Sequence, residues 1–254
     1  MKKISTKITA FILIATLICA CNAVKRVPEG KHLLTKNEVL VNNKATKEEI
    51  IFNQLYQNPN STLLLGFRLR LNLYNLANLN PDSTYQAKFT NNPEKYKRQS
   101  KWLSAKQVDR LGKSFLYHGI HDFLKKTGEA PVIIDKSKID KSILRLKYYY
   151  FNIGFFNVKA NYTIDTLSVK KAKIKYAITT LEPYTLDSLK TTILTPVLDS
   201  LYEINKAKTL IKSGNQYKTA NFEDEKNRIT THFRNNGAYY FHPQNWRFYT
   251  DLRI

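Results

Sequence analysis

Phe156-Asn157-Val158-Lys159-Ala160-Asn161-Tyr162-Thr163-Ile164-Asp165 alternates apolar and polar residues without a break. After a short turn, Lys171-Ala172-Lys173-Ile174-Lys175-Tyr176-Ala177-Ile178 does the same. Two neighbouring runs of period two, each polar on one face, predict an antiparallel hairpin with its apolar face on a core. Just upstream, Ile139, Ile143, Leu146, Tyr150 and Ile153 recur at helical spacing and form one stripe. Gly154 then ends that helix, because glycine takes the left-handed conformation without a Cβ penalty. A helix covering one face of a hairpin is an α+β unit.

Upstream of this unit, Val39-Leu40-Val41 reads as a short strand. A helix over 46–57 follows, with Thr46 at the N-cap and Glu49 completing a capping box. Asn58-Pro59-Asn60-Ser61 breaks it. Between 62 and 130 lies a leucine-rich stretch (Leu63 to Leu79), then loops at Asn80-Pro81-Asp82 and Asn91-Asn92-Pro93. Helical spacing from Ser100 to Lys126 makes Trp102, Val108, Leu111, Phe115, Ile120 and Leu124 the expected core residues there. Downstream, Tyr184-Thr185-Leu186 opens a second copy of the pattern. Pro196 to Ile211 is helical or mixed, and Gly214-Asn215-Gln216-Tyr217 is a turn. A helix from Phe222 to Asn235 points Ile229 and Phe233 inward and ends at Asn236-Gly237, with Ala238–Phe241 and Trp246–Tyr249 as strand material. Helix, glycine, aromatics and strand thus occur twice, a weak internal repeat of one small module.

The N-terminus carries a different message. Lys2, Lys3 and Lys7 precede an apolar run from Ile8 to Ala20 that ends in Ile18-Cys19-Ala20-Cys21. That run, about 13 residues long, is too short to cross a hydrocarbon layer of about 30 Å and has the flanks of a secretory signal. Its end has the form of a lipobox, so 1–20 reads as a signal peptide and Cys21 as the lipidated residue. The competing reading is an uncleaved membrane anchor with a chance cysteine. With Cys21 lipidated, no thiol pair remains, and an apolar core alone must hold the folded part. Asn22 to Lys31, with Pro28 and Gly30, reads as part of a tether.

Of the +21 formal charge of the whole chain, the three signal lysines account for 3, leaving about +18 (21 − 3) on the mature part. Such an excess attracts anionic membrane, nucleic acid or acidic polypeptide. An exported lipoprotein does not meet genomic DNA, so headgroups and acidic polypeptides are the expected partners, unless the charge is only a solvated lysine-rich surface. Signals for an enzyme are poor, and no catalytic residue, cofactor or metal is expected. His118 and His121 lie three apart with only Asp122 as a further ligand, and there is no HExxH. The eight glycines make no GxGxxG, P-loop or GxSxG. Tyr148-Tyr149-Tyr150 could stack bases, but on a helix the three diverge and Tyr150 belongs to the core stripe. Asp224-Glu225 with Arg228 reads as ordinary pairing along a helix.

Several segments together resemble a known family. They are Val27-Pro28-Glu29-Gly30 with Leu33-Leu34, Leu73-Tyr74-Asn75-Leu76, and Gly128-Glu129-Ala130-Pro131-Val132-Ile133-Ile134-Asp135. To these are added Tyr148 through Phe156, Gly214-Asn215-Gln216-Tyr217, and Phe222 through Phe241. In order and spacing they are similar to the POTRA (polypeptide-transport-associated) modules of the outer-membrane protein assembly superfamily that includes BamA and TamA. Within it, TamL-type translocation and assembly lipoproteins are the nearest likeness, over nearly all of 21–254.

The resemblance implies tandem β-α-α-β-β modules. The chain then divides into a signal peptide (1–20), a lipidated tether (21–36), a first module (37–181) with an insertion at 60–130, and a second module (182–254) cut short before its closing strand. Strands at Val39–Asn42, 155–165 and 171–181 and helices at 46–57 and 139–153 would build the first module. Family members continue into a membrane barrel, and nothing here has the alternating strands a barrel needs, so barrel-insertase activity is not expected of this fragment. The resemblance also implies a periplasmic, outer-membrane lipid-anchored protein. It would bind unfolded outer-membrane clients or a partner assembly subunit by strand addition. In family members the penultimate strand is the sheet edge, which points to Phe156, Asn157, Val158, Lys159, Ala160, Asn161 and Tyr162. The competing reading is that Lys159 and Asp165 blunt that edge. The alternative function is a basic lipoprotein that binds anionic membrane or surface polymer, with the folded modules as spacers.

Overall fold

The computed structural model describes residues 23–63, 66–243, 247–248 and 250–253, so the signal segment and Cys21 lie outside the described residues. The protein is a mixed α+β structure with two small sheets and no closed barrel among the described residues. It divides into two compact units. The first gathers residues up to Asn37, Gln57–Asp135 and Ile164–Ile174; the second gathers Glu38–Tyr56, Lys136–Thr163 and the chain from Lys175 onward.

The larger sheet has the order β2-β1-β4-β3. Strand β1 (Leu33–Val41) is longer than the Val39–Asn42 expected from its apolar triplet. It turns through Asn42 and Asn43, both at positive φ, into β2 (Lys44–Thr46), with Val39 opposite Thr46. Asparagine tolerates the left-handed region, so two in succession suit the two-residue turn that joins twisted antiparallel strands. The hairpin strands are β3 (Lys159–Ser168) and β4 (Lys171–Thr179). On β4 the alternation holds completely: Ala172, Ile174, Tyr176 and Ile178 are buried. Strand β4 runs parallel to β1. Leu33 N–H bonds the Lys170 carbonyl at one end, and Asn42 N–H bonds the Ile178 carbonyl at the other. A parallel pair needs a long crossover, which the intervening helices supply.

In the second unit, α1 (Glu49–Phe52) is a single turn rather than the helix over 46–57. Thr46 does not cap it. Its hydroxyl accepts from Glu48 N–H two residues on, a local bond that competes with helix. The chain then leaves helical geometry because Tyr56 N–H is drawn to the Ser142 hydroxyl at 2.9 Å. That serine lies on α7 (Lys136–Asn152), whose buried residues are Ile139, Ser142, Leu146 and Tyr150. The apolar stripe is therefore present with a serine inside it, and Ile143 and Ile153 only half-buried.

Gly154 ends α7 at φ +90°. A Cβ there would stand 3.0 Å from the Tyr217 carbonyl oxygen and 3.1 Å from that of Tyr184. Gly154→Ala is expected to cost about 1–3 kcal/mol through the left-handed backbone and this crowding, read as a lowered thermal midpoint. An unchanged midpoint would show that the turn relaxes freely.

The same unit contains a second β-α-α-β segment: β5 (Thr185–Leu189), α8 (Pro196–Asn205), α9 (Thr219–Asn235) and β6 (Thr250–Arg253). β5 and β6 pair antiparallel with an irregularity between Leu186 and Leu189. Ile229 and Phe233 are buried with Tyr202, as the spacing required. Ala238–Phe241 is a turn and not a strand. Its Ala238 N–H returns to the Phe233 carbonyl and its Phe241 ring packs edge-on against Phe233. Trp246 and Tyr249 lie outside the described residues.

In the first unit, the insertion folds as α2 (Leu69–Leu76), α3 (Pro81–Thr90), α4 (Pro93–Ser100), α5 (Ala105–Gly112), a π-turn (Phe115–Gly119) and α6 (Ile120–Thr127). Pro81 and Pro93, expected in loops, each open a helix, where their missing N–H costs nothing. Ser104 and Gln107 form a capping box at α5, with bonds of 2.8 and 3.4 Å. Val108 is buried, but Trp102 is 88% exposed, and Phe115 and Ile120 are exposed as well. Helical spacing marked those three as core, yet Trp102 and Phe115 are largely uncovered and Ile120, 37% exposed, is covered only in part.

Candidate functional site

Strand β3 stands at the end of the sheet, paired with β4 on one side. Of the seven residues expected at this edge, Lys159, Ala160, Asn161 and Tyr162 lie in the strand. Phe156 and Asn157 form the turn before it and Val158 the link, so the edge begins three residues later than the alternation suggested. The reason is aromatic packing. The Phe156 ring stands 4.7 Å from that of Phe151, 5.2 Å from Tyr184 and 5.0 Å from Tyr217. Asn157 Nδ2 donates to the Tyr184 hydroxyl at 3.3 Å. Together with Gln216 Nε2 donating to the Ile153 carbonyl, these bonds fix the start of β3 against the turn at 214–217. The strand is thus supported at its entry.

Along β3, Ala160 is buried while Lys159, Asn161 and Thr163 are exposed. A strand at the end of a sheet offers alternate N–H and C=O groups along its outer side, and an extended peptide can pair with them. Side chains stand above and below the pleat, so neither Lys159 nor Asp165 fills that line. Asp165 instead faces Lys173 across to β4 at 3.5 Å. No protein family, no curated protein and no solved structure matches this chain. The site is therefore argued from its own geometry.

A cleft of about 550 Å³ with mixed apolar and polar walls opens in the second unit between β5, α8 and α9, lined by Leu189, Thr191, Ile193, Tyr202, Phe222 and Ile229 among others. The acid at its wall is Glu225, which is buried and fully engaged. It accepts from Arg228 at 2.6 Å, from Leu210 N–H at 3.0 Å and from the Thr209 hydroxyl at 2.9 Å. The spacing to Arg228 was visible in sequence as ordinary pairing along a helix, but not its burial, because Thr209 and Leu210 come from a separate segment 15–16 residues upstream. Burial by itself would push the Glu225 carboxyl up. The bonds from Arg228, Leu210 and Thr209 outweigh it and hold the group below the ordinary carboxylate range. Such a carboxylate is structural, with no lone pair to spare for proton transfer.

The two histidines of the insertion are engaged separately. His118 Nδ1 lies 3.0 Å from Asp122, and His121 Nδ1 accepts from Asn78 N–H at 3.2 Å. No group of three or more His, Cys, Asp or Glu among the described residues is placed to hold a metal ion. Tyr150 is buried in the stripe of α7, and burial pushes its hydroxyl up to about 12, while Tyr148 points to solvent. The three tyrosines therefore make no stacking platform. No helix among the described residues is long and apolar enough to cross a membrane.

Proposed function

We propose that this chain is the lipid-anchored, periplasmic part of an outer-membrane protein assembly or translocation factor. It carries POTRA-like modules and binds extended clients or a partner subunit by strand addition. The observation that carries this reading is the position of β3 at the end of the β2-β1-β4-β3 sheet. The element order supports it too. A strand, α1, α7 and the β3–β4 hairpin form one β-α-α-β-β set, with β1 and β4 parallel in the interior of the sheet. The β5-α8-α9-β6 segment repeats the first part of that order. The extra β2 and the one-turn α1 depart from the plain module. Backbone pairing tolerates many client sequences, which suits a machine that handles unfolded chains.

The test uses the full chain with Cys21→Ser and an extended peptide taken from a membrane-barrel strand. A photo-crosslinker at Asn161 is expected to capture the peptide, and one at Ala45 on the opposite edge strand is not. Methylating three backbone nitrogens that face the edge removes three hydrogen bonds of about 1 kcal/mol each, so affinity should fall on the order of 100-fold. Equal capture at Ala45, or undiminished binding of the methylated peptide, rules strand addition out.

A further inference from the structure

Residues 23–26 do not hang free: they are fastened to the helical insertion. Ala23 and Val24 pack with Val27, Leu33, Leu71 and Ile133. Lys25 Nζ donates to the Asn75 carbonyl at 3.1 Å, and Asn75 Nδ2 donates to the Ala23 carbonyl at 3.4 Å. The Arg26 guanidinium lies 5.1 Å over the Tyr74 ring and donates to the Ala77 carbonyl. Residues 23–26 are therefore held along the C-terminal half of α2. Cys21 lies two residues upstream of Ala23, and two residues span at most about 7 Å. A lipid at position 21 would therefore be tethered within about 7 Å of Ala23.

The surface around that point is apolar with basic flanks. Leu76 and Leu79, at and just beyond the end of α2, are exposed. Helix α6 packs on α2, and Asn78 N–H bonds His121 on it. Along α6 and the π-turn before it, Leu116, Ile120 and Phe123 are exposed at 76%, 37% and 57%. Ile120 and Phe123 are neighbours at i, i+3 on α6, and Leu116 extends the stripe into the π-turn. Lys113 and Lys126 are exposed at either end of this stripe. The insertion (60–130) holds 12 Lys and Arg against 5 Asp and Glu. Packing explains none of these exposed side chains, and a contiguous exposed apolar stripe marks an interaction surface.

We propose that the helical insertion docks on an anionic phospholipid surface. Leu116, Ile120 and Phe123 enter the boundary between headgroups and acyl chains, and the flanking lysines meet the phosphates. An apolar stripe with lysines at its margins is the composition of helices that lie in the interface plane. A bilayer is favoured over a protein partner because lysines flank the stripe, and because the helix that carries most of it, α6, packs on α2, to which residues 23–26 are fastened two residues from the proposed lipid site. Only that second argument rests on the lipoprotein reading. On this view the insertion fixes how the protein stands on its membrane, and the lipid alone does not.

The test takes the full chain with Cys21→Ser, so that no lipid contributes, and vesicles of phosphatidylethanolamine with roughly 30 mol % phosphatidylglycerol. The parent should sediment with these vesicles, and less so as salt rises. The triple change Leu116→Ser, Ile120→Ser and Phe123→Ser should weaken binding by at least about tenfold, since the lost side chains supply the apolar part of the interaction. Leu116 and Phe123 are 76% and 57% exposed, so the double change Leu116→Ser with Phe123→Ser should leave the thermal midpoint nearly unmoved and serves as the folding control, while Ile120, 37% exposed, adds a modest loss of its own. Lys113→Glu with Lys126→Glu is the second variant and should remove the salt-sensitive part. Undiminished vesicle binding by both variants, or none by the parent, overturns the proposal. Loss of a protein crosslink without loss of vesicle binding overturns it in favour of a protein partner. The mass of the membrane-extracted wild-type protein decides separately whether Cys21 is acylated, and its failure leaves the vesicle result standing.

Discussion

Replacing Glu225 with alanine should lower the unfolding free energy of the unit that holds it by about 3–5 kcal/mol, the usual cost of removing one partner from a buried ion pair. Glu225 is 1% exposed and satisfies Arg228, Leu210 N–H and the Thr209 hydroxyl together. Its removal strands a half-buried guanidinium and a backbone donor on the wall of the cleft. Chemical denaturation of the parent and variant measures the cost. Replacing Arg228 with methionine as well should recover part of it, because the orphaned charge is then gone. A loss below about 1 kcal/mol would mean that the pair behaves as an exposed one.

The same group makes a prediction about pH. The carboxyl is held below its ordinary range in the folded state. Its contribution is therefore complete above the unfolded glutamate value of about 4.3 and is lost as pH falls through the lower folded value. The stability difference between the parent and Glu225→Gln should shrink over that acid interval and stay level above it. A difference that grew on acidification would contradict the sign of the shift.

The second large effect is expected at Gln57. This side chain, 4% exposed, replaces a strand partner for the segment leading out of the insertion. Its Nε2 donates to the Ile133 carbonyl at 2.8 Å and its Oε1 accepts from Asp135 N–H at 3.0 Å. Its own carbonyl accepts from Asn37 Nδ2. Asn60 does the same one step along, between the Ala130 carbonyl and Val132 N–H. Gln57→Leu keeps the approximate volume but leaves two backbone groups unpaired, a cost of about 2–4 kcal/mol. Hydrogen exchange gives the local readout: the Asp135 amide should lose protection by more than the global destabilisation accounts for. An Asp135 amide that exchanges as before would show that another acceptor takes over.

These two sites also mark where sequence reading stops. The alternation at Ala172, Ile174, Tyr176 and Ile178 was legible because a side-chain period of two admits only one arrangement once a face is buried. Ile139, Leu146 and Tyr150 were legible for the matching reason on a helix. Ser142 was not, since its burial depends on Tyr56 N–H, which arrives from 86 residues away. Asn42-Asn43 carried a turn signal that a search for paired asparagines would have found. Gln57 and Asn60 carried none. Their role is set by backbone groups beyond residue 129, and polar residues beside Pro59 look like any loop.

At the candidate edge, the strand and its inward residues could be read from the pattern, and the family resemblance pointed to which strand lies outermost. Its starting residue could not be read, because Phe156 satisfies the alternation but is taken by the rings of Phe151, Tyr184 and Tyr217. Periodicity likewise said that Phe115 and Ile120 lie on one side of a helix, without saying what that side faces.

The amino-acid order by itself determined the helix-on-hairpin unit and the basic charge, because the first depends on residues close together in the chain and the second on composition. Tertiary structure alone decided the order of strands in the sheet, the burial of Glu225 and the fastening of residues 23–26 to α2. It also decided which apolar stripe is left uncovered. Those outcomes depend on which distant backbone and side-chain groups find one another, and local spacing carries no record of that.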